Sequence, residues 1–253
     1  ISDSLIKETI DNINFNLIEE DTAKAQMYNN ISERKKSKSG TATIRSNKVT
    51  FIHNEKILSH LGRKNKKLLK IGYFNIKKNK LKLIDQTIAW SWQLGSMLQW
   101  VDGNNNLIFN CLKKKQLGSK LVNIKNKKFQ YYKLPIYCLN MQGTKALSIN
   151  FKRLYDLRLG YGYDIVNSLY PNKNLFNDGI YLLNLIDKKY TKIINFKKII
   201  SFLNIKYHNN YYINHVTFSP NSDSVTFYFI SAIGKIRKIY PINYNLKKKK
   251  LLL

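Results

Sequence analysis

The stretch Ala146–Tyr163, ALSINFKRLYDLRLGYGY, gathers residues whose types could do chemistry. Arg153 and Arg158 carry planar guanidinium forks, which match the two oxygens of a carboxylate or phosphate. Tyr161 and Tyr163 offer flat apolar faces with hydroxyl tips, a match for sugars, whose rings have apolar faces and hydroxyl rims. Gly160 and Gly162 let the backbone between them turn sharply. The segment begins as a strand and opens into this loop, so the reading is a ligand-contacting loop. Arg153, Asp156 and Arg158 fit a structural ion-pair network as well as an anion pocket. Tyr161 and Tyr163 divide evenly between packing and ligand contact.

Four histidines, His53, His60, His208 and His215, are the candidates for metal ligation. His208 and His215 lie seven residues apart across an expected loop and could approach each other. A divalent ion needs three or more ligands, so ordinary hydrogen-bonding groups are the favoured reading of the two histidines. No other cofactor is implied. Trp90, Trp92, Gln93, Gln99 and Trp100 cluster around a strand entry, either as packing with amides serving backbone groups or as ligand contacts. Asn214 precedes His215 and shares its candidacy for the ligand. Cys111 and Cys138 stand in apolar runs with no C-x-x-C pairing and read as buried free thiols, suited to a reducing compartment. There is no G-x-S-x-G elbow, no glycine-rich phosphate loop before a helix and no zinc spacing.

The 253 residues carry a formal charge of +29. Such a balance points to a polyanionic partner: an acidic glycan, nucleic acid or an anionic surface. Lysine far outnumbers arginine, however, and asparagine, isoleucine, tyrosine and phenylalanine are abundant too. AT-rich codons encode all of these, so composition alone supplies much of the charge. Nucleic-acid contact beyond non-specific attraction is not expected from it. No run of 18 apolar residues is present, which excludes a membrane-spanning helix. The first 30 residues lack a basic segment followed by an apolar one, so no signal peptide is read and a cytoplasmic location is expected. The chain opens on Ile1 rather than Met, which reads as a fragment or a processed product.

The elements that must position these residues read as strands. ATIRSNKVTFIHN (42–54), LQWVDGNNNLIFN (98–110), YCLNMQGTKALSIN (137–150) and VTFSPNSDSVTFYF (216–229) each run apolar strand, polar turn, strand. Their turns hold Asn, Gly, Asp, Ser and Pro, the residues that tolerate tight turns. Between them lie LLKIGYFNIKKNKLKLI (68–84), SKLVNIKNKKFQYYKL (119–134) and DGIYLLNLIDKKYTKII (178–194), again strand, turn, strand. A last copy is expected in KIRKIYPINYN (235–245). Asn75, Asn123 and Asn184 recur at intervals of 48 and 61 residues. Two alternating hairpins make one four-stranded sheet, the unit of a WD-like β-propeller blade. A single such sheet has two apolar faces and buries both only between neighbours. The expectation is an all-β chain, an incomplete β-propeller of about four to five blades. The organisation read from this is a polar N-terminal segment or partial first blade over 1–40, blades over 41–245, and a basic frayed end over 246–253. The first segment holds seven of the chain's 15 acids.

Several segments follow one another in an order that resembles a family of bacterial β-propeller proteins distantly similar to oligogalacturonate lyases. These are TIAWSWQLGSMLQWVDGNNNLIFN (87–110), KLPIYCLNMQGTKALSINFKRLYDLRLGYGY (133–163), NDGIYLLNL (177–185) and NHVTFSPNSDSVTFYF (214–229). The family's Leu-Pro-x-Pro-x-Tyr is shortened here to Leu134-Pro135-Ile136-Tyr137, its Arg-Pro-Gly-Tyr is Arg158-Leu159-Gly160-Tyr161, and its downstream His is missing near Phe229-Ile230-Ser231. The resemblance implies a propeller that binds an acidic or phosphorylated carbohydrate through Gln93, Gln99, Arg153, Arg158, Tyr161, Tyr163, Asn214 and His215. It also implies two alternatives: a β-elimination enzyme assisted by a divalent metal such as manganese and using His215 and His208, and a scaffold that presents its rim to protein partners.

Overall fold

The structure is a computed structural model that describes residues 42–45, 48–54, 68–75, 79–101, 105–158, 160–163, 175, 178–234 and 236–252. The expected N-terminal segment 1–40 and His60 lie outside the described residues. The chain divides into two compact units, Ile1–Gln99 and Trp100–Leu253.

The first unit holds one antiparallel four-stranded sheet, in the order β1 (Ala42–Arg45), β2 (Lys48–Asn54), β3 (Leu69–Asn75), β4 (Lys80–Thr87). β3 supplies its buried residues Leu69, Ile71, Tyr73 and Phe74. Gly72 sits where the β3–β4 register shifts, and a Cβ there would lie 2.6 Å from the Lys82 carbonyl oxygen.

The second unit holds three more sheets of the same form. The first runs β5 (Gln99–Trp100), β6 (Asn106–Lys113), β7 (Gln116–Asn123), β8 (Phe129–Tyr132). The next runs β9 (Cys138–Leu139), β10 (Lys145–Ser148), β11 (Gly179–Asn184), β12 (Tyr190–Asn195). The last runs β13 (Tyr211–Phe218), β14 (Ser224–Ile233), β15 (Ile236–Asn245), β16 (Lys250–Leu252). Each is an up-and-down meander, the form of a propeller blade. The four hairpins expected at 42–54, 98–110, 137–150 and 216–229 are all present. The protein is all-β in its sheets, and the described residues include two short helices inserted between strands: α1 (Phe151–Leu157) and α2 (Phe196–Leu203).

The inner-to-outer gradient of polarity has a direct physical cause. β6 is buried continuously from Leu107 to Cys111, the pattern of a strand covered on both faces. The outer strands β12 and β16 expose half or more of their residues. Consecutive sheets of the second unit are tied side by side. The Tyr132 hydroxyl donates to the Leu185 carbonyl at 3.0 Å. The Tyr137 hydroxyl donates to Asn214 Oδ1 at 2.7 Å. Phe196 of α2 meets Phe229 of β14 edge-on at 5.1 Å.

Two expectations are corrected. The frayed end at 246–253 instead supplies β16, paired through Asn243–Leu252, Tyr244–Leu251 and Asn245–Lys250. Leu251 is buried between the exposed Lys250 and Leu252, so alternation, not the basic run, sets its fate. The segment 235–245 is not a strand–turn–strand copy: β15 is one strand, paired over its ten residues with β14.

Candidate anion-binding site

The loop that opened the sequence reading is preceded by a helix, not by continuous strand. Asn150 starts it: its Oδ1 accepts the Arg153 N–H at 3.0 Å, the bond of a helix N-cap. α2 starts the same way, with Asn195 Oδ1 accepting from the Lys198 N–H at 2.9 Å. Both follow a strand through nearly the same hexapeptide, Ile149–Leu154 (INFKRL) and Ile194–Ile199 (INFKKI). That repeat was the available signal for both helices.

Arg153 is committed inside the protein. Its Nε donates to Asp178 Oδ2 at 2.6 Å and its Nη1 to the Asn209 carbonyl at 3.0 Å. Asp178 is buried and also accepts from Asn150 Nδ2 and the Gly179 N–H, each at 2.8 Å. Burial pushes the Asp178 carboxyl above its ordinary range, against the opposing pull of Arg153, Asn150 and the Gly179 amide. This knot joins α1 to the start of β11 and to the approach to β13. Asp156 pairs with Lys152, one helical turn earlier, and not with an arginine.

Tyr163 is committed as well. Its ring stacks on Phe151 with centroids 4.5 Å apart and planes 4° from parallel, and its hydroxyl accepts from Asn110 Nδ2 at 3.0 Å. Complete burial holds its phenol protonated far above the usual range. Gly162 makes this possible. It has φ +65°, and a Cβ there would lie 2.2 Å from the Phe151 carbonyl oxygen. The Gly-Tyr-Gly-Tyr loop is therefore an anchor at Tyr163 that presents Tyr161 and Arg158.

Asn214 and His215 form a β-bulge in β13, where the register slips between Asn214 and Thr217. His215 adopts φ +51°, and its N–H donates to the Tyr137 hydroxyl at 2.9 Å. That hydroxyl in turn donates to the buried Asn214. Burial pushes the Tyr137 phenol up to about 12. Tyr137→Phe strands both Asn214 Oδ1 and the bulge amide. It is expected to cost about 1–3 kcal/mol in urea unfolding, while unchanged stability would remove the hydroxyl's role in holding the bulge.

The His215 side chain is exposed beside Tyr228. His208 lies over Tyr211 at 3.8 Å, with Nδ1 accepting from the Asn210 N–H and Nε2 against Ser231 Oγ at 2.9 Å. Both His208 ring nitrogens are thus engaged. Among the described residues no three His, Cys, Asp or Glu side chains come together as a metal would require. The described residues therefore offer no manganese centre of the kind the resemblance implies. Gln93 is exposed in a tight loop of the first unit where Ser91 and Gly95 exchange backbone hydrogen bonds, and Gln99 Nε2 donates to the Met97 carbonyl at 3.1 Å. Trp90 and Trp92 meet edge-on within that loop.

What remains open to solvent converges on Tyr212, which the sequence reading missed. Tyr212 is a buried residue of β13. The charges of Arg158 and of Arg237 of β15 both act on its phenol, while Arg237 Nη1 itself donates to the Gly234 carbonyl at 3.1 Å and to the Ile236 carbonyl at 3.2 Å. Burial raises the Tyr212 phenol and the two arginines pull it back. Arg158 lies over the Tyr161 ring at 5.3 Å. Both arginines are exposed, and among the described residues neither is paired with a carboxylate. No sequence spacing links Arg158 to Arg237, so only the fold brings them together.

No protein-family model matches the chain, and no curated protein matches it. Among solved structures it is similar to TolB from Acinetobacter baumannii at 7% identity and TM-score 0.46, over 81% of this chain and 40% of that one. It is similar to an oligogalacturonate lyase in complex with manganese at 10% identity and TM-score 0.46, over 83% and 49%. It is similar to the β-propeller domain of the Trilobed protease from Pyrococcus furiosus at 8% identity and TM-score 0.44, over 83% and 55%. The chain spans about half the length of these proteins. Among the described residues no helix is long and apolar enough to cross a membrane.

Proposed function

We propose that the protein binds an acidic or phosphorylated carbohydrate at Arg158, Tyr161, Tyr212 and Arg237. One observation carries the reading: Arg158 and Arg237 are both exposed and, among the described residues, unpaired with a carboxylate, and Arg158 lies over the Tyr161 ring at 5.3 Å. The guanidinium groups would take the anion, and Tyr161 would take an apolar sugar face. The ligand set differs from the first expectation. Arg153, Tyr163 and Asn214 support the fold, while Tyr212 and Arg237 join Arg158 and Tyr161.

Calorimetric titration with trigalacturonate and with a hexose 6-phosphate tests this. Arg158→Ala with Arg237→Ala is expected to weaken the tighter of the two by about tenfold or more, since hydrogen bonds to charged groups contribute about 1.5–3 kcal/mol. A neutral oligosaccharide should bind no tighter to the wild type than to the variant. Equal affinity of wild type and variant for both anions would overturn the assignment.

A further inference from the structure

The outer half of the second unit's first sheet carries a feature the Tyr212 site does not use. From Asn106 to Leu134 the chain has eight lysines and no aspartate or glutamate. Two aromatic residues, Phe129 and Tyr131, stand two apart on the edge strand β8 and so share a face. Their rings meet edge-on at 5.4 Å. Phe129 is 59% exposed, a large apolar side chain left in water at a sheet edge. Lysine ammonium groups lie against both rings. Lys120 Nζ is 4.5 Å from the Phe129 centroid and 5.5 Å from that of Tyr131, and Lys113 Nζ is 4.5 Å from Tyr131. The register pairs Lys120 with Tyr131 across the strands, so the contacts follow from the fold.

Single lysine–tyrosine contacts occur in the next two sheets as well. Lys192 of β12 lies over Tyr181 at 5.4 Å, with Tyr190 beside it. Lys238 of β15 lies over Tyr240 at 5.3 Å.

Stability alone does not account for this face. An exposed cation–π pair contributes about 0.5–1 kcal/mol, whereas crowded like charges repel one another and oppose compaction. A ligand that alternates a negative backbone with flat π faces matches both halves of the arrangement. An acidic glycan supplies the charge without the π face, and duplex DNA hides its base faces in the stack. We propose that the outer face of β7 and β8 binds single-stranded nucleic acid without sequence preference, with bases stacked on Phe129 and Tyr131 and phosphates held by Lys113 and Lys120.

Fluorescence anisotropy of the full chain with labelled oligo(dT), with heparin and duplex DNA as competitors, tests it. Phe129→Ala with Tyr131→Ala is expected to weaken oligo(dT) binding by about tenfold or more and to leave heparin binding unchanged. Phe129→Ala alone, at an exposed position, should show part of that loss with an unaltered circular dichroism spectrum. Phe129→Trp should retain binding. Lys113→Ala with Lys120→Ala should flatten the dependence of log K on log salt by about 1.4. Oligo(dT) affinity unmoved by removing both rings would overturn the proposal, as would tighter binding of duplex DNA or heparin than of oligo(dT). Arg158→Ala with Arg237→Ala should leave oligo(dT) binding intact, which separates this surface from the carbohydrate site.

Discussion

Asp178→Ala is expected to destabilise the protein by about 3–5 kcal/mol in urea unfolding, the usual consequence of removing one partner from a buried ion pair. Asp178 gathers four bonds from three parts of the chain. Its carboxylate takes Arg153, Asn150 and the Gly179 amide, and its carbonyl takes the Phe196 N–H at 3.0 Å. Only the carboxylate bonds are lost in the variant. They leave a guanidinium that is 12% exposed at its side chain, with its Asn209 bond and little water. The pair itself is not a strong net source of stability. Burial raises the Asp178 pKa despite Arg153, so the folded state takes up a proton more readily than the unfolded state as pH falls through that range. Acidification therefore does not withdraw stability through this group. Arg153→Met combined with Asp178→Asn should recover much of the loss, since the amide oxygen still accepts from Gly179 while the stranded charge is gone. A single Asp178→Ala variant as stable as the wild type would mean that the knot does not hold α1 in place.

Gly162→Ala is expected to cost about 2–5 kcal/mol, from two sources. The backbone at φ +65° is unfavourable for a residue with a Cβ. The added carbon would also stand 2.2 Å from the Phe151 carbonyl oxygen and 2.4 Å from the Tyr155 nitrogen, both backbone atoms of α1. The loop must then lift from the helix, and the stack of Tyr163 on Phe151 opens with it. Gly234→Ala separates the two sources. Gly234 has φ +56° with nothing within 4 Å of a Cβ, so only the backbone term applies, about 1–2 kcal/mol. If urea unfolding gave equal losses for the two variants, the close approach of loop to helix would not matter.

The strands were legible because they are local. Alternation and turn residues are written along ten to fifteen positions of chain, so hairpins such as 137–150 and 216–229 could be placed with their turns. The helices were missed because an eight-residue element between strands leaves little periodicity to read. Their caps, Asn150 and Asn195, were the better signal. The C-terminal lysines hid β16, since its placement rests on Leu251 finding a core supplied by other strands.

From composition and pattern alone came the all-β architecture and the recurrence of four-stranded units, together with the candidacy of the loop that holds Arg158, Tyr161 and Tyr163. The roles within that loop were decided by tertiary structure. Arg153 and Arg158 are chemically the same residue five positions apart, yet one is drawn into contact with Asp178 and the other is left facing water beside Tyr161. Which arginine meets a carboxylate depends on where β11 begins relative to α1, and the charge of Arg237 reaches Tyr212 only because β14 pairs with both β13 and β15. Both are long-range distances. A linear chain encodes them only through the sum of all its packing, which no short window of residues contains.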